Sequence, residues 1–382
     1  MSSSTNTGIF KAIQIHKIYK SMNEGIDNLQ LVELPRPTLG DDEVRVRVHA
    51  SALNYFDLLM LLGRYQYRPP LPFTVGSECS GEIIEVGANV KDWKVGQAVI
   101  AGMTMGNAMA SEIVVPGDKL IMKPAHFTHS EAAGLPVGFF TTYHALIHRG
   151  NVRRGETLLV TGAGGGMGLS AVQLGVKLGM TVIAAASSDE KCSQAKKAGA
   201  HHTINYSNLK QLKERVNEIT NGKYADVIYE VVGGDVFKEC IRCIAPNGRL
   251  LVIGFASGSI PTVPVNMVLV KGFSLVGVRS GQEVSNNMHG DDAGILEGIR
   301  TTNAFHSFLL TVFQMFDHPE LTVEMVNAMN QISSDSKKDR TLAPVVANIP
   351  VDQFREAYKL INERKVVGKA CVLWQPETKA KL

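Results

Sequence analysis

The chain has 382 residues, 45% of them apolar, with 39 basic and 36 acidic side chains for a formal net charge of +3. That length accommodates two domains of ordinary size, and the scattered, nearly balanced charge leaves no basic stripe for nucleic acid. No apolar run reaches the length of a membrane span, and the opening Met1-Ser-Ser-Ser-Thr-Asn-Thr7 lacks the charged-then-apolar order of a signal peptide and reads as a frayed tail.

In chain order, residues 10–17, 29–34 and 43–49 read as strands. In the third, Val44, Val46 and Val48 alternate with Arg45, Arg47 and His49, the pattern of a half-buried strand. Residues 54–62 read as a helix that stops at Gly63. A proline-rich loop over 64–73 and further short strands with glycines at 76, 81, 87 and 96 suggest a compact antiparallel or barrel-like domain reaching about residue 138. A helix over 139–148 opens a different regime. Strands at 157–161, 181–186, 202–205, 226–231, 249–254 and 273–278 alternate with helices near 168–178, 189–198, 208–220 and 235–244, which predicts a doubly wound parallel sheet. Ser187 with Glu190 fits a capping box for the second of these helices. Residues 279–305 read as a polar loop or lid, followed by helices at 306–317 and 320–332 and a polar connector at 333–339. Strand 344–349, helix 351–364 and strand 369–374 close the chain and are expected to pack back on the first domain.

The stretch Thr157-Leu-Leu-Val-Thr-Gly-Ala-Gly-Gly-Gly-Met-Gly168 carries the chemistry. A short apolar run ends in glycines and an apolar-periodic helix starts at once. Gly162, Gly165 and Gly168 permit a sharp turn, close approach of backbone N–H groups to a diphosphate, and tight packing of helix on strand. Gly165, Gly166, Met167 and Gly168 then present the helix N-terminus to that charge. The five cysteines, Cys79, Cys192, Cys240, Cys243 and Cys371, are odd in number, which argues for a reducing compartment. Cys240 and Cys243 form a C-x-x-C without a second pair, late in a predicted helix, and read as packing residues. His201-His202 reads as a surface pair.

The order of motifs resembles the zinc-free quinone oxidoreductase family of medium-chain dehydrogenases/reductases, close to its peroxisomal prostaglandin reductase branch. The resemblance rests on Asn54-x-x-Asp57, Gly63-Arg-Tyr65, Leu71-Pro72-Phe73 to Gly76-x-Glu78-x-x-Gly81, Thr141-Thr-Tyr-His144, the glycine loop with Gln173, Ala198-Gly-Ala200 to Ile204-Asn-Tyr206, and Gly248-Arg to Gly258. It implies a barrel-like (GroES-like) catalytic domain, here 1–138 plus 334–382, and a Rossmann domain, here 139–333, with the cofactor in the cleft between them.

Zinc alcohol dehydrogenases of that superfamily carry Cys where this chain has Asn54, and Gly-His-Glu where it has Gly76-Ser77-Glu78. Residues 97–115 contain no Cys for a structural zinc. No metal is therefore expected, and without a Lewis acid the chemistry should be reduction of a conjugated acceptor. For the cofactor, the second strand ends without the usual acid and Asp189 comes late. Lys191 and Tyr206 match positions that hold the 2′-phosphate in NADPH-using relatives, with Ser187 as a further donor or as the helix cap. NADPH is expected.

By resemblance Asn54 and Thr141 lie near the nicotinamide, where Asn54 would hydrogen-bond a substrate carbonyl or the carboxamide. Tyr65 matches a tyrosine that assists enoyl reduction; a phenol can donate a proton or bond an enolate oxygen. Its other role would be a loop aromatic packed on the barrel. Tyr55, Tyr67 and Met103 to Met109 would line an apolar pocket or fill core. Gly254, Phe255 and Ala256 follow the fifth strand on the ligand side of such a sheet, and Lys369 resembles a cofactor-contacting end of the family. The acceptor is expected to be a quinone or, alternatively, a C=C bond conjugated to a carbonyl. A non-enzymatic RNA-binding role lacks a basic stripe. Phe273 to Val278 would lie at a sheet edge that needs cover, which predicts a homodimer. Ala380-Lys381-Leu382 varies on a peroxisomal address, so the chain is expected in the cytoplasm or the peroxisome.

Overall fold

The computed structural model describes residues 8–102, 106–125, 127–279 and 346–376. Among them, one compact unit runs to Val137 and resumes at Val346, and a second runs from Gly138 to Arg279. Beyond Arg279, the expected 279–305 loop lies outside the described residues. So do the helices at 306–317 and 320–332, the connector at 333–339, Met103 to Met105 and the C-terminal tripeptide.

The first unit opens with β1 (Ile9–Ile15), α1 (Met22–Asp27), β2 (Gln30–Pro35), β3 (Glu43–Ala52), α2 (Tyr55–Leu61), β4 (Phe73–Thr74) and β5 (Glu78–Val86). It continues with β6 (Ala98–Gly102), β7 (Glu112–Pro116), β8 (Leu120–Met122) and α3 (His129–Ala133). Helix α1 has no counterpart in the sequence reading. It is a single capped turn, with Ser21 accepting the Glu24 N–H, and is too short for an apolar period to show. The half-buried pattern on β3 also fails at Arg45, which is buried. β3 pairs with both β5 and β7, and the Arg45 guanidinium is met by Glu85 at 2.7 Å and the Pro37 carbonyl at 2.8 Å.

Helix α4 (Pro136–Tyr143) leads into the second unit. It passes into a π-helical turn, His144–Arg149, where the sequence predicts one continuous helix. Then come β9 (Thr157–Val160), α5 (Gly166–Lys177), β10 (Thr181–Ala186), α6 (Asp189–Lys197), β11 (His202–Asn205), α7 (Leu212–Ile219) and β12 (Ala225–Glu230). After them lie α8 (Gly234–Cys243), β13 (Ile244–Val252), α9 (Val265–Lys271) and β14 (Ser274–Gly277). The strand order is β11-β10-β9-β12-β13-β14, with every pair parallel. Order reverses between β9 and β12, the switch point at which such sheets bind ligands beyond their carboxyl ends. Leu159, Ile183, Ile228 and Leu250 are fully buried in a common cluster with the face of α8 that carries Phe237, Cys240 and Cys243.

The C-terminal β15 (Val346–Pro350), α10 (Phe354–Asn362) and β16 (Lys369–Leu373) belong to the first unit. β16 pairs antiparallel with β3, Cys371 opposite Ala52, and parallel with β15. The sheet order is β15-β16-β3-β5-β6-β8, with β7 on β3 and a separate three-stranded sheet β2-β1-β4. α10 seats Phe354, Ala357 and Tyr358 in a cluster with Leu58, Leu61 and Ile13. The pairing of β16 with β3 is what brings residue 369 beside residue 54.

Candidate active site

The glycine turn is built as the sequence spacing requires. Gly162 has φ +59°, a left-handed conformation that other residues adopt at a cost. A Cβ on Gly168 would lie 2.3 Å from the Gly162 oxygen and 2.6 Å from the Ala163 Cα, so only glycine lets α5 approach β9. Gly165 is the cap residue of α5 and offers no side chain to its first N–H groups. The leading donors at Gly166, Met167 and Gly168 therefore point out from a twelve-residue helix with no side-chain cap, which is the geometry an anion uses.

The residues expected at the adenosine end gather beside this turn. Lys191 runs its stem along the loop, its Cβ and Cγ lying 2.5 and 2.6 Å from where a Gly164 Cβ would be. Tyr206 follows β11; burial, the largest effect, pushes its pKa up to about 12, with the Gly162 N–H acting the other way. Ser187 is exposed at the end of β10. It is not the cap of α6: Ser188 is, accepting the Lys191 N–H at 3.3 Å. The capping pattern in the sequence points one residue too early, because the two serines are adjacent and only the backbone decides between them. Asp189 is engaged laterally, its Oδ1 accepting from Asn205 Nδ2 at 2.8 Å.

A residue the sequence reading missed fixes the next loop. Glu230 ends β12 fully buried. Its carboxylate accepts the Val232 N–H at 2.8 Å, the Gly233 N–H at 3.0 Å and the Thr161 hydroxyl at 3.1 Å. Burial raises its pKa, while those donors act the other way. An acid at a strand end carries no motif; the available signal was an ionisable residue closing a strand three residues ahead of Gly233-Gly234. The Ala256 and Ser257 N–H groups donate to Val231 and Val232 carbonyls, lacing the half-buried Gly254-Phe255-Ala256 segment to the same loop. Thr141 is half-buried on α4, and its neighbour Thr142 bonds the buried Tyr229 hydroxyl at 3.0 Å.

In the first unit, Asn54 caps α2 and is 7% exposed. Its N–H donates to Asp57 at 2.7 Å, and its amide nitrogen donates to Glu78 Oε1 at 3.0 Å. Lys369 is buried rather than at the surface, with its ammonium 2.5 Å from both Asn54 Oδ1 and Glu78 Oε1. The second Glu78 oxygen accepts the Val137 N–H at 2.8 Å. Ser77 donates to Asp57, whose pKa burial lifts to about 7. Tyr65 stacks on Phe56 with ring centroids 5.0 Å apart. Tyr55 packs against the core of this unit, Met109 lies within that core, and Tyr67 is exposed.

Among the described residues no group of three or more His, Cys, Asp or Glu could hold a metal ion. Where zinc relatives place ligands, an ammonium already lies against the Asn54 and Glu78 oxygens.

Residues 40–153 match the alcohol dehydrogenase GroES-like domain family, and residues 166–291 match the zinc-binding dehydrogenase family. The quinone oxidoreductase-like protein 2 homolog of Nematostella vectensis is 35% identical over 334 residues, covering 87% of this chain and 82% of its own length. Quinone oxidoreductase-like protein 2 of Bos taurus is 41% identical over 254 residues, 66% of this chain and 72% of the relative. The structure of Escherichia coli quinone oxidoreductase complexed with NADPH superposes with a TM-score of 0.74 at 25% identity, covering 95% of this chain and 99% of the other. With a GroES-like domain followed by a parallel Rossmann-type sheet and a relative matched over most of both lengths, the chain belongs to the quinone oxidoreductase family of medium-chain dehydrogenases/reductases.

Proposed function

We propose that this chain is an NADPH-dependent reductase that passes hydride to a quinone, and that no metal takes part. The observation that carries the cofactor is the company of the glycine turn. The α5 N-terminus has no side-chain cap, Lys191 lies along the loop, and Asp189, the acid that follows the second strand, is engaged by Asn205. A cation and a phenol beside the turn suit a 2′-phosphate better than a ribose hydroxyl pair. The NADPH complex of the E. coli relative supports the same choice.

When bound, NADPH supplies hydride from its nicotinamide ring. The protein's part is to hold, orient and stabilise charge. The first turn of α5 takes the diphosphate, with Lys191, Tyr206 and Ser187 at the phosphate of the adenosine. Gly254 to Ala256 and Thr141 border the nicotinamide. Asn54 meets the acceptor's carbonyl oxygen, on which negative charge builds as the acceptor is reduced. The alternative acceptor is a C=C bond conjugated to a carbonyl, for which Tyr65 would supply the proton or bond the enolate oxygen.

Steady-state NADPH oxidation with a quinone beside an enone separates the two. Tyr65→Phe keeps the stack on Phe56 and removes only the hydroxyl. A loss confined to the enone assigns Tyr65 to enone reduction. Calorimetry showing no heat on mixing with NADPH, or stoichiometric zinc by elemental analysis, overturns the proposal. We further propose a homodimer closed over the edge strand β14. Its Leu275 is 43% exposed, and Val265, Leu269 and Val270 on the preceding helix α9 are 77–82% exposed. No helix among the described residues is long and apolar enough to cross a membrane. A cytoplasmic or peroxisomal location is proposed from the terminal tripeptide, to be checked by imaging a fluorescent fusion that ends in it.

A further inference from the structure

We propose that Lys369 is a positioning residue: it fixes the Asn54 amide as a hydrogen-bond donor and strengthens it, so that a buried ammonium acts on the acceptor's oxygen through one amide group. The inference rests on the reading of Asn54 as the group that meets the acceptor.

An ammonium has only donors, so the Asn54 atom 2.5 Å from Lys369 Nζ is the oxygen. A carboxylate has only acceptors, so the atom 3.0 Å from Glu78 Oε1 is the nitrogen. Two independent partners thus agree on one orientation. Rotating the amide by half a turn would set its NH₂ against the ammonium and its oxygen against the carboxylate. Lys369 and Glu78 are 5% and 0% exposed in their side chains and bonded to each other, so the orientation is held from within the core. Among the described residues the amide nitrogen has one acceptor, Glu78, which leaves its second hydrogen for a ligand. The ammonium N–H donated to Oδ1 draws amide electron density toward the oxygen and makes the amide N–H a stronger donor, the cooperative effect of a hydrogen-bonded chain at low dielectric. When hydride bonds to the acceptor carbon, the acceptor's π pair moves onto the carbonyl oxygen, NADPH is oxidised, and a solvent proton completes the reduction. The donor is wanted at that oxygen.

The test is a kinetic double-mutant cycle. Lys369→Met should lower kcat roughly 100-fold, the lower end of the range found for loss of one oxyanion donor, with the KM for NADPH changed less than about twofold. Lys369→Arg should recover most of the loss. Asn54→Ala should fall similarly, and Lys369→Met added to it should cost less than about threefold more, because the lysine acts only through the amide. Equal costs of Lys369→Met in the wild-type and Asn54→Ala backgrounds, or a loss confined to the KM for NADPH, overturn the inference. If Lys369→Met fails to fold with Glu78 left unpaired, Lys369→Met/Glu78→Gln removes both charges. A wild-type kcat in that variant overturns the inference too. A wild-type protein that turns over no acceptor defeats the functional reading itself; turnover with additive variants defeats only the role of Lys369.

Discussion

Gly168→Ala tests whether the glycine turn is a packed joint. The new Cβ would meet the Gly162 oxygen at 2.3 Å, the Ala163 Cα at 2.6 Å and the Gly162 carbon at 2.8 Å, all of them backbone. An ordinary contact begins near 3.4 Å, so α5 must recede by roughly 1 Å. Overpacking against atoms that cannot swing aside costs about 1–3 kcal/mol, a fall in melting temperature of several degrees for a unit of this size. The same displacement carries the first N–H groups of α5 off the diphosphate, and misplacement by about 1 Å costs on the order of 100-fold in kcat/KM. Gly165→Ala is the control. Its Cβ has nothing nearer than the Gly162 oxygen at 3.6 Å, and its φ of −90° suits any residue. It should lose less than about 1 kcal/mol of stability yet weaken NADPH, because its methyl projects where the diphosphate approaches. Thermal melting with a fluorescence titration of NADPH reads both effects. A Gly168→Ala protein that melts and binds as wild type refutes the reasoning, as does a Gly165→Ala protein that is the less stable of the two.

Lys191→Ala should raise the Kd for NADPH by about 10- to 100-fold, the worth of one charged hydrogen bond, and leave NADH within about twofold; equal effects on both nucleotides would remove Lys191 from the 2′-phosphate. Asp57, lifted by burial to about 7 in the fold, binds its proton more tightly folded than unfolded. It therefore contributes up to roughly 4 kcal/mol at low pH that is lost as pH rises from about 4 to 7. His129, pushed by burial, His49 and Lys123 down to about 3, has the opposite slope, its contribution lost as pH falls below about 6.5. Asp57→Asn should thus unmask a melting temperature that drops with acid below about pH 6.5; an unchanged pH profile speaks against the Asp57 shift. Leu269→Asp on the exposed face of α9 should yield a monomeric mass by sedimentation while NADPH binding persists, and a wild-type protein already monomeric refutes the edge-strand dimer.

The parallel sheet was legible because its signals are local. Apolar runs such as Thr157–Val160 and Thr181–Ala186 sit between glycine turns and helical periods, and each strand can be read from its own few residues. The glycine turn was legible for the same reason: its demands on Gly162 and Gly168 are steric and fall within a single short segment. The cluster in the first unit was not. Asn54 is 24 residues from Glu78 and 315 from Lys369, and their meeting depends on β16 pairing with β3, a register that no local pattern carries. Lys369 accordingly reads, in sequence, only as a cofactor contact. Arg45 misleads for a related reason, since alternation tells which face a residue takes but not that β7 and β5 both flank its strand.

The side-chain caps explain where an anion can sit on this sheet. Helices α5, α6 and α8 follow β9, β10 and β12 at its carboxyl edge. α6 has Ser188 on the Lys191 N–H. Ahead of α8, the Val232 and Gly233 N–H groups are taken by the buried Glu230 carboxylate, and the Gly234 N–H by the Ser259 carbonyl. A fixed negative charge there both satisfies the donors and repels a second anion. Neither α5 nor α8 has a side-chain acceptor on its own first N–H groups, but of the two only α8 has a fixed carboxylate just ahead of it. On the proposed function, the diphosphate is directed to the glycine turn by what is withheld as well as by what is offered. Glu230 also holds the Thr161 hydroxyl, which accepts the Val231 N–H, and Val231 Cγ2 lies 2.7 Å from where a Gly162 Cβ would be. The acid that denies α8 to an anion therefore buttresses the turn that gives α5 to one, and a Glu230→Ala protein should lose NADPH affinity without ever touching the nucleotide.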